Sequence, residues 1–122
     1  MQLEIERNAG NFIRAYSDGV VHVGDRNFDR PVIITVDRII DTWSPPLPPA
    51  MAIGDLSMVI DLAPEVIVLG TGASQQFPSP SLIAEVLRMG IGLEVMDTRA
   101  ACRTYNILSS EYRRVVAALF TQ

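Results

Sequence analysis

An α/β domain is the fold class this sequence predicts, with strands alone in its first part and strands alternating with helices in its second. Two observations carry the prediction. Glu65 to Tyr105 reads strand, Gly-rich turn, helix, strand, polar turn, helix, and each of its polar turns, Gly70 to Gln76 and Asp97 to Ala100, leaves an apolar run and enters a helix. The residues before Pro45 form short β-rich runs separated by turn signals.

In order, Phe12, Arg14 and Tyr16 alternate with Ile13 and Ala15, Ser17-Asp18-Gly19 signals a turn, and Val20 to Val23 supplies the returning strand of a hairpin. Gly24 to Asn27 reads as a second polar turn. Val32 to Trp43 is β-rich and long enough to bend or bulge midway, because its alternation breaks at Arg38. Four prolines within Pro45 to Pro49 force an extended, stiff connection.

The second half opens with a short helix over Met51 to Leu62, with Leu56, Val59 and Ile60 on one face and Pro64 as its stop. Val66 to Leu69 is an unbroken apolar run, expected of a central parallel strand covered on both faces. Ser79 caps the next helix with Pro80 at its first position. Leu82, Ile83, Val86 and Leu87 form its inner stripe, and Gly90 ends it. Leu93 to Met96 is a strand, and Asp97 or Thr98 caps the helix after it. Ser109-Ser110 interrupts that helix, and Glu111 to Phe120 reads as a last helix with Arg113-Arg114 on its solvated face. Met51, Met58, Met89 and Met96 are expected to fill the core.

A length of 122 residues suits one domain, 1–122, with a β-rich half (1–49) and an α/β half (50–122). Hydrophobic residues at 48% and charged residues at 20% exclude intrinsic disorder. A net charge of −4 argues against a nucleic-acid partner and against a polybasic membrane patch. All ten basic residues are arginine, so a lysine Schiff base, a P-loop lysine and a lysine general base are excluded. The single cysteine, Cys102, excludes an intrachain disulfide and a cysteine metal cluster. Acids in the opening MQLEIER do not fit a signal peptide, and no apolar run approaches the roughly 20 residues of a membrane span, so the expectation is a cytoplasmic protein that does not span the membrane.

In open α/β sheets, ligands bind outside the carboxyl ends of the parallel strands. Those ends fall at Gly70-Thr71-Gly72 and Asp97-Thr98, where backbone amides at helix starts can receive an anion. Arg99 and Arg103 lie one helical turn apart and could clamp a carboxylate or phosphate. Gly70, Thr71, Gly72, Asp97, Thr98, Arg99 and Arg103 are therefore the candidate ligand-binding residues. Against that reading, the glycines serve a tight turn and Asp97-Thr98 only cap a helix. The GTG turn lacks both the GxGxxG spacing of dinucleotide folds, with Gln75 at the third position, and the P-loop lysine. No catalytic residue, metal ligand or cofactor is predicted. His22 reads as a partly exposed structural histidine, and Cys102 as a buried apolar residue.

Three stretches carry a resemblance: the turn at Gly70 to Gly72, Glu94 to Thr98 (EVMDT), and Cys102 to Asn106 (CRTYN) followed by Glu111 and Arg113. With DGVVHVG and the Pro-rich loop after Trp43, they resemble, over nearly the whole chain, a family of small bacterial and archaeal proteins. Its relatives include a mitochondrial assembly factor for respiratory complex I and an adipogenesis-associated protein. The resemblance implies a three-layer single domain: a mixed central sheet, helices on one side, and extra β structure (the hairpin) on the other. It implies a non-catalytic binding or assembly module with a protein partner, in complex I biogenesis, and carries no catalytic residues across. A free-standing domain need not share that role. The alternatives are a small-anion binder or enzyme using the groove at the carboxyl ends of strands 66–70 and 93–97, and a structural domain that self-associates.

Overall fold

The computed structural model describes residues 10–111 and 114–122. Strands β1 (Ile13–Ser17), β2 (Val20–Val23) and β3 (Arg26–Phe28) form an antiparallel sheet in that order. The β1–β2 reversal uses Asp18 and Gly19, both at positive φ (53° and 74°), as a tight hairpin requires. Gly24, at φ 59°, makes the next reversal equally short. Arg26 and Asn27, expected in a turn, are therefore already in β3.

The main sheet has five strands in the order β5-β4-β8-β6-β7. Its members are β4 (Val32–Ile34), β5 (Ile39–Ile40), β6 (Val66–Thr71), β7 (Gly92–Met96) and β8 (Val115–Phe120). The 32–43 stretch does not bend as one strand but reverses. Thr35 N–H donates to the Arg38 carbonyl (2.9 Å) and Arg38 N–H to Thr35 Oγ1 (3.0 Å), so β5 returns antiparallel to β4. A 3-10 turn, Ile53–Leu56, leads into the short helix α1 (Ser57–Ile60); α2 spans Pro80–Arg88 and α3 Thr98–Ser110. Ser79 caps α2, its hydroxyl accepting from Leu82 N–H at 3.2 Å. Asp97 caps α3, which runs through Ser109 to end at Ser110.

The expected last helix is replaced by β8. All six of its residues are buried, and it lies between β6, its parallel neighbour, and β4, its antiparallel one. A strand with both edges paired and both faces covered is apolar throughout, which hides its period. Arg114, exposed, precedes β8 and donates Nε–H to the Ala63 carbonyl (3.1 Å); Arg113 lies outside the described residues.

The domain is a three-layer α/β arrangement with a mixed central sheet, but α3 departs from the expected placement of all helices on one side. One face of the main sheet packs Ile33, Ile67, Leu69, Val116, Ala118 and Phe120 against Trp43, Met51, Leu56 and Val59 and against Leu82 and Val86 of α2. The other face packs Val32, Ile34, Val66, Val68, Ala117 and Leu119 against the small sheet and against Ala101, Cys102 and Tyr105 of α3. Crossover handedness explains the split. The connection from β6 to β7 moves outward, and the one from β7 to β8 steps back over β6. Right-handed crossovers in opposite directions put their helices on opposite faces.

Two side-chain links tie the small sheet to α3. Tyr105 donates its hydroxyl to the Asn11 carbonyl (2.8 Å), and Asn106 bonds both the N–H and the C=O of Ile13. In α2, Leu82 and Val86 are buried as expected, but Leu87 is 53% exposed. Met51 is buried, whereas Met58 and Met89 lie at the surface rather than in the core.

Candidate functional site

The carboxyl ends of β6, β7 and β8 meet at one edge of the main sheet, and the GTG turn is built around them. A Cβ on Gly70 would sit 2.8 Å from Leu119 Cδ2, 2.9 Å from Thr98 Oγ1 and 3.0 Å from Ala101 Cβ, so helix and sheet come together there only over glycine. Gly72 has φ +100°, and a Cβ on it would collide with the Gln122 carbonyl oxygen. The Thr71 hydroxyl donates to the Ser74 carbonyl (2.7 Å) and accepts from Gln76 N–H (3.0 Å), which folds the 72–76 loop back on itself.

Thr98 joins all three strands. Its fully buried hydroxyl donates to the Phe120 carbonyl (2.6 Å) and accepts the Gly72 N–H (2.8 Å), while its own N–H donates to the Gly72 carbonyl (2.9 Å). Asp97 Oδ1 accepts from Ala100 N–H at 2.9 Å, satisfying one of the open amides of the α3 N-terminus.

Of the seven candidate residues, Gly72, Asp97 and Arg99 face a cleft of about 270 Å³, shared with Tyr16, Asp18, Gly19 and Ala73. Gly70, Thr71 and Thr98 are buried beneath it and hold its frame. Arg103 is exposed and is not among the lining residues, so the cleft takes one of the two arginines. The Arg99 guanidinium lies over the Tyr16 ring, 5.6 Å from its centroid. Tyr16 donates its hydroxyl to the Thr121 carbonyl (2.8 Å), and burial raises its phenol above the ordinary tyrosine range against the opposing pull of Arg99. The cleft thus carries two carboxylates and one guanidinium. Tyr16, Asp18 and Gly19 escaped sequence reasoning because nothing local to their hairpin says which sheet edge it overhangs.

The remaining reactive side chains are accounted for locally. His22 Nδ1 lies 2.7 Å from Asn27 Oδ1, its cross-strand partner, on a half-exposed position. Cys102 is a buried free thiol; burial pushes its pKa up to about 12, and Arg99 and Arg103 oppose that shift without reversing it. Among the described residues there is no group of three or more His, Cys, Asp or Glu side chains that could hold a metal ion, and no helix long and apolar enough to cross a membrane.

Residues 13–120, from β1 to the end of β8, match the family described as protein of unknown function (DUF498/DUF598). The chain belongs to that family. Among DUF498/DUF598 relatives, it is 34% identical over 119 residues to the Danio rerio protein named NADH dehydrogenase (ubiquinone) 1 alpha subcomplex assembly factor 3, covering 96% of this chain and 68% of that protein. It is 28% identical over 120 residues to the 13 kDa major membrane protein of Francisella tularensis, covering 94% of this chain and 95% of that one. The crystal structure of a Bordetella parapertussis protein matches with a TM-score of 0.85 at 38% identity, over 93% of this chain and 98% of that one. The resemblance read from the GTG, EVMDT and CRTYN stretches is to this family, and the α/β architecture is shared with its solved members.

Proposed function

We propose that this DUF498/DUF598 domain is a non-catalytic binding and assembly module that holds a protein partner during respiratory complex I biogenesis. The observation that carries the reading is the match to the Danio rerio assembly factor along 96% of the chain. The local chemistry is in keeping with it. The Thr98 and Thr71 hydroxyls beneath the carboxyl-end edge are engaged in tying β8 to the GTG turn and in folding the 72–76 loop, the only histidine serves a hairpin, and the only thiol is buried and held protonated. The reading places the domain in the cytoplasm, where an unpaired cysteine stays reduced; cell fractionation checks that assignment. The deciding experiment is affinity capture of the tagged protein from its native cells, on both soluble and membrane fractions, followed by mass spectrometry. Reproducible recovery of complex I subunits or their biogenesis proteins is expected; repeated capture with no enriched partner removes the reading.

The cleft beside Arg99 favours a second reading, a small-molecule binder. Asp18 and Asp97 oppose a bare anion there, so the ligand that fits carries both an anionic group for Arg99 and a cationic one for the carboxylates. Thermal-shift screening of zwitterionic metabolites against wild type and Arg99→Ala tests it. A hit that survives the substitution places the ligand elsewhere.

A further inference from the structure

β7 closes one side of the main sheet and, among the described residues, pairs only with β6. Along a strand, backbone polar groups point alternately to one side and the other. Gly92 donates its N–H to the Glu65 carbonyl, and the Met96 carbonyl lies 3.3 Å from Thr71 Oγ1 of β6, so Gly92, Glu94 and Met96 turn inward. Leu93 and Val95 therefore turn their N–H and C=O groups outward. The exposed Gln75 side chain marks that direction, since it donates to the Val95 carbonyl at 3.2 Å. Among the described residues no other hydrogen bond reaches this rim.

The other sheet edges are shorter or, on the five-residue β1, partly capped. β5 has two residues and β3 three, and on β1 the Asn106 side chain takes both polar groups of Ile13. An open edge of five residues is a template for another strand.

Resting on the assembly reading, we infer that the outer rim of β7 takes up an extended segment of the partner protein as an added strand, with an arginine or lysine opposite Glu94 and apolar residues on either side of it. Glu94 is exposed, and in an antiparallel pairing its inward-turned backbone makes it a non-hydrogen-bonded position, where opposed side chains approach most closely. Directly opposed side chains share a face, so a cation meets the carboxylate. The neighbouring partner residues lie with half-buried Leu93 and Val95 on the α2 side, and Leu87 and Met89, 53% and 51% exposed, stand just before β7. A second copy of this chain is the wrong occupant. Full antiparallel overlap of two β7 strands sets Glu94 against Glu94, and each chain carries a net charge of −4.

The test is NMR titration of the full chain with short capped peptides centred on Val-Arg-Val or Val-Glu-Val. The Leu93 and Val95 amides should shift with the arginine peptide, and the glutamate peptide should bind roughly tenfold more weakly. Glu94→Arg should reverse that preference, N-methylation of the valines should abolish binding, and Gln75→Ala, which releases the Val95 carbonyl, should tighten it about two- to threefold. Val95→Pro removes one outward N–H, leaves the inward donors in place, and should lose binding. Unmoved Leu93 and Val95 amides, an unchanged preference in Glu94→Arg, or self-association through β7 would each overturn the inference. Should Val95→Pro not fold, Glu94→Arg and the methylated peptide decide alone. Capture of complex I proteins alongside a silent rim would sink this inference and leave the assembly reading standing; peptide uptake without a captured partner would do the reverse.

Discussion

Replacing Thr98 by valine keeps the shape of the side chain and deletes one hydroxyl. That hydroxyl serves two buried backbone groups, the Gly72 N–H at 2.8 Å and the Phe120 carbonyl at 2.6 Å. Each left without a partner costs about 1–3 kcal/mol, so Thr98→Val should lose about 2–6 kcal/mol. Thr98→Ser keeps both bonds and gives up one buried methyl, a loss of about 1 kcal/mol. Domains of this size are stable by only about 5–15 kcal/mol, so the difference is large. Urea unfolding measures it. With a slope of about 2 kcal/mol per molar, the Thr98→Val midpoint should fall by about 1–3 M and the Thr98→Ser midpoint by about 0.5 M. Hydrogen exchange adds a local readout, since the Gly72 amide should lose protection in Thr98→Val alone. If valine proves as stable as serine, the bridging hydroxyl does not hold the three strand ends together and the description of this edge is wrong.

Gly70→Ala should destabilise by about 1–3 kcal/mol in a thermal melt, because its Cβ meets Leu119, Thr98 and Ala101 at 2.8–3.0 Å. Cys102 should resist iodoacetamide at pH 8 in the folded protein and react on addition of denaturant, since its thiol is buried and pushed up to about 12. The same shift predicts alkaline sensitivity. The unfolded thiol ionises near pH 9 and the folded one does not, so the unfolded state binds fewer protons and stability falls as pH rises from about 9 towards about 12. Tyr105, also raised by burial, adds to this loss at the upper end, and Cys102→Ala should flatten the lower part of the stability–pH curve. Arg99→Ala should change stability by no more than about 1 kcal/mol, because the side chain is exposed and its contact is a cation–π approach to Tyr16.

The α/β half was legible where a local signal stood at each end of an element. Ser79-Pro80 opens α2, Asp97 opens α3, and Val66 to Leu69 has the unbroken apolar character of a doubly covered strand. Val115 to Phe120 has the same character, yet six consecutive apolar residues fit a buried strand or a helix equally well. Only the pairing with β4 and β6, far away in sequence, decides. The break at Arg38 was visible, but its meaning as a reversal depends on the Thr35 hydroxyl. At the candidate site, the positions of the two strand ends were readable from the turns that follow them. The contribution of Tyr16 and Asp18 from another sheet was not, and neither was the bridge Thr98 makes between residues 22 and 26 positions away.

The place of β8 between β4 and β6 governs the order in which the domain can be completed during synthesis. The small sheet and the β4–β5 reversal need only neighbours in sequence and can pair as they emerge. β6 and β7 can also pair, but β4 and β6 have no strand between them until residues 115–120 have left the ribosome. Until then the nascent chain holds two partial sheets with apolar flanks, and every contact that joins them is long-range and slow to form. A stalled or truncated translation product lacking these six residues would expose both inner edges at once, making it a substrate for chaperones and proteases rather than a partly working domain.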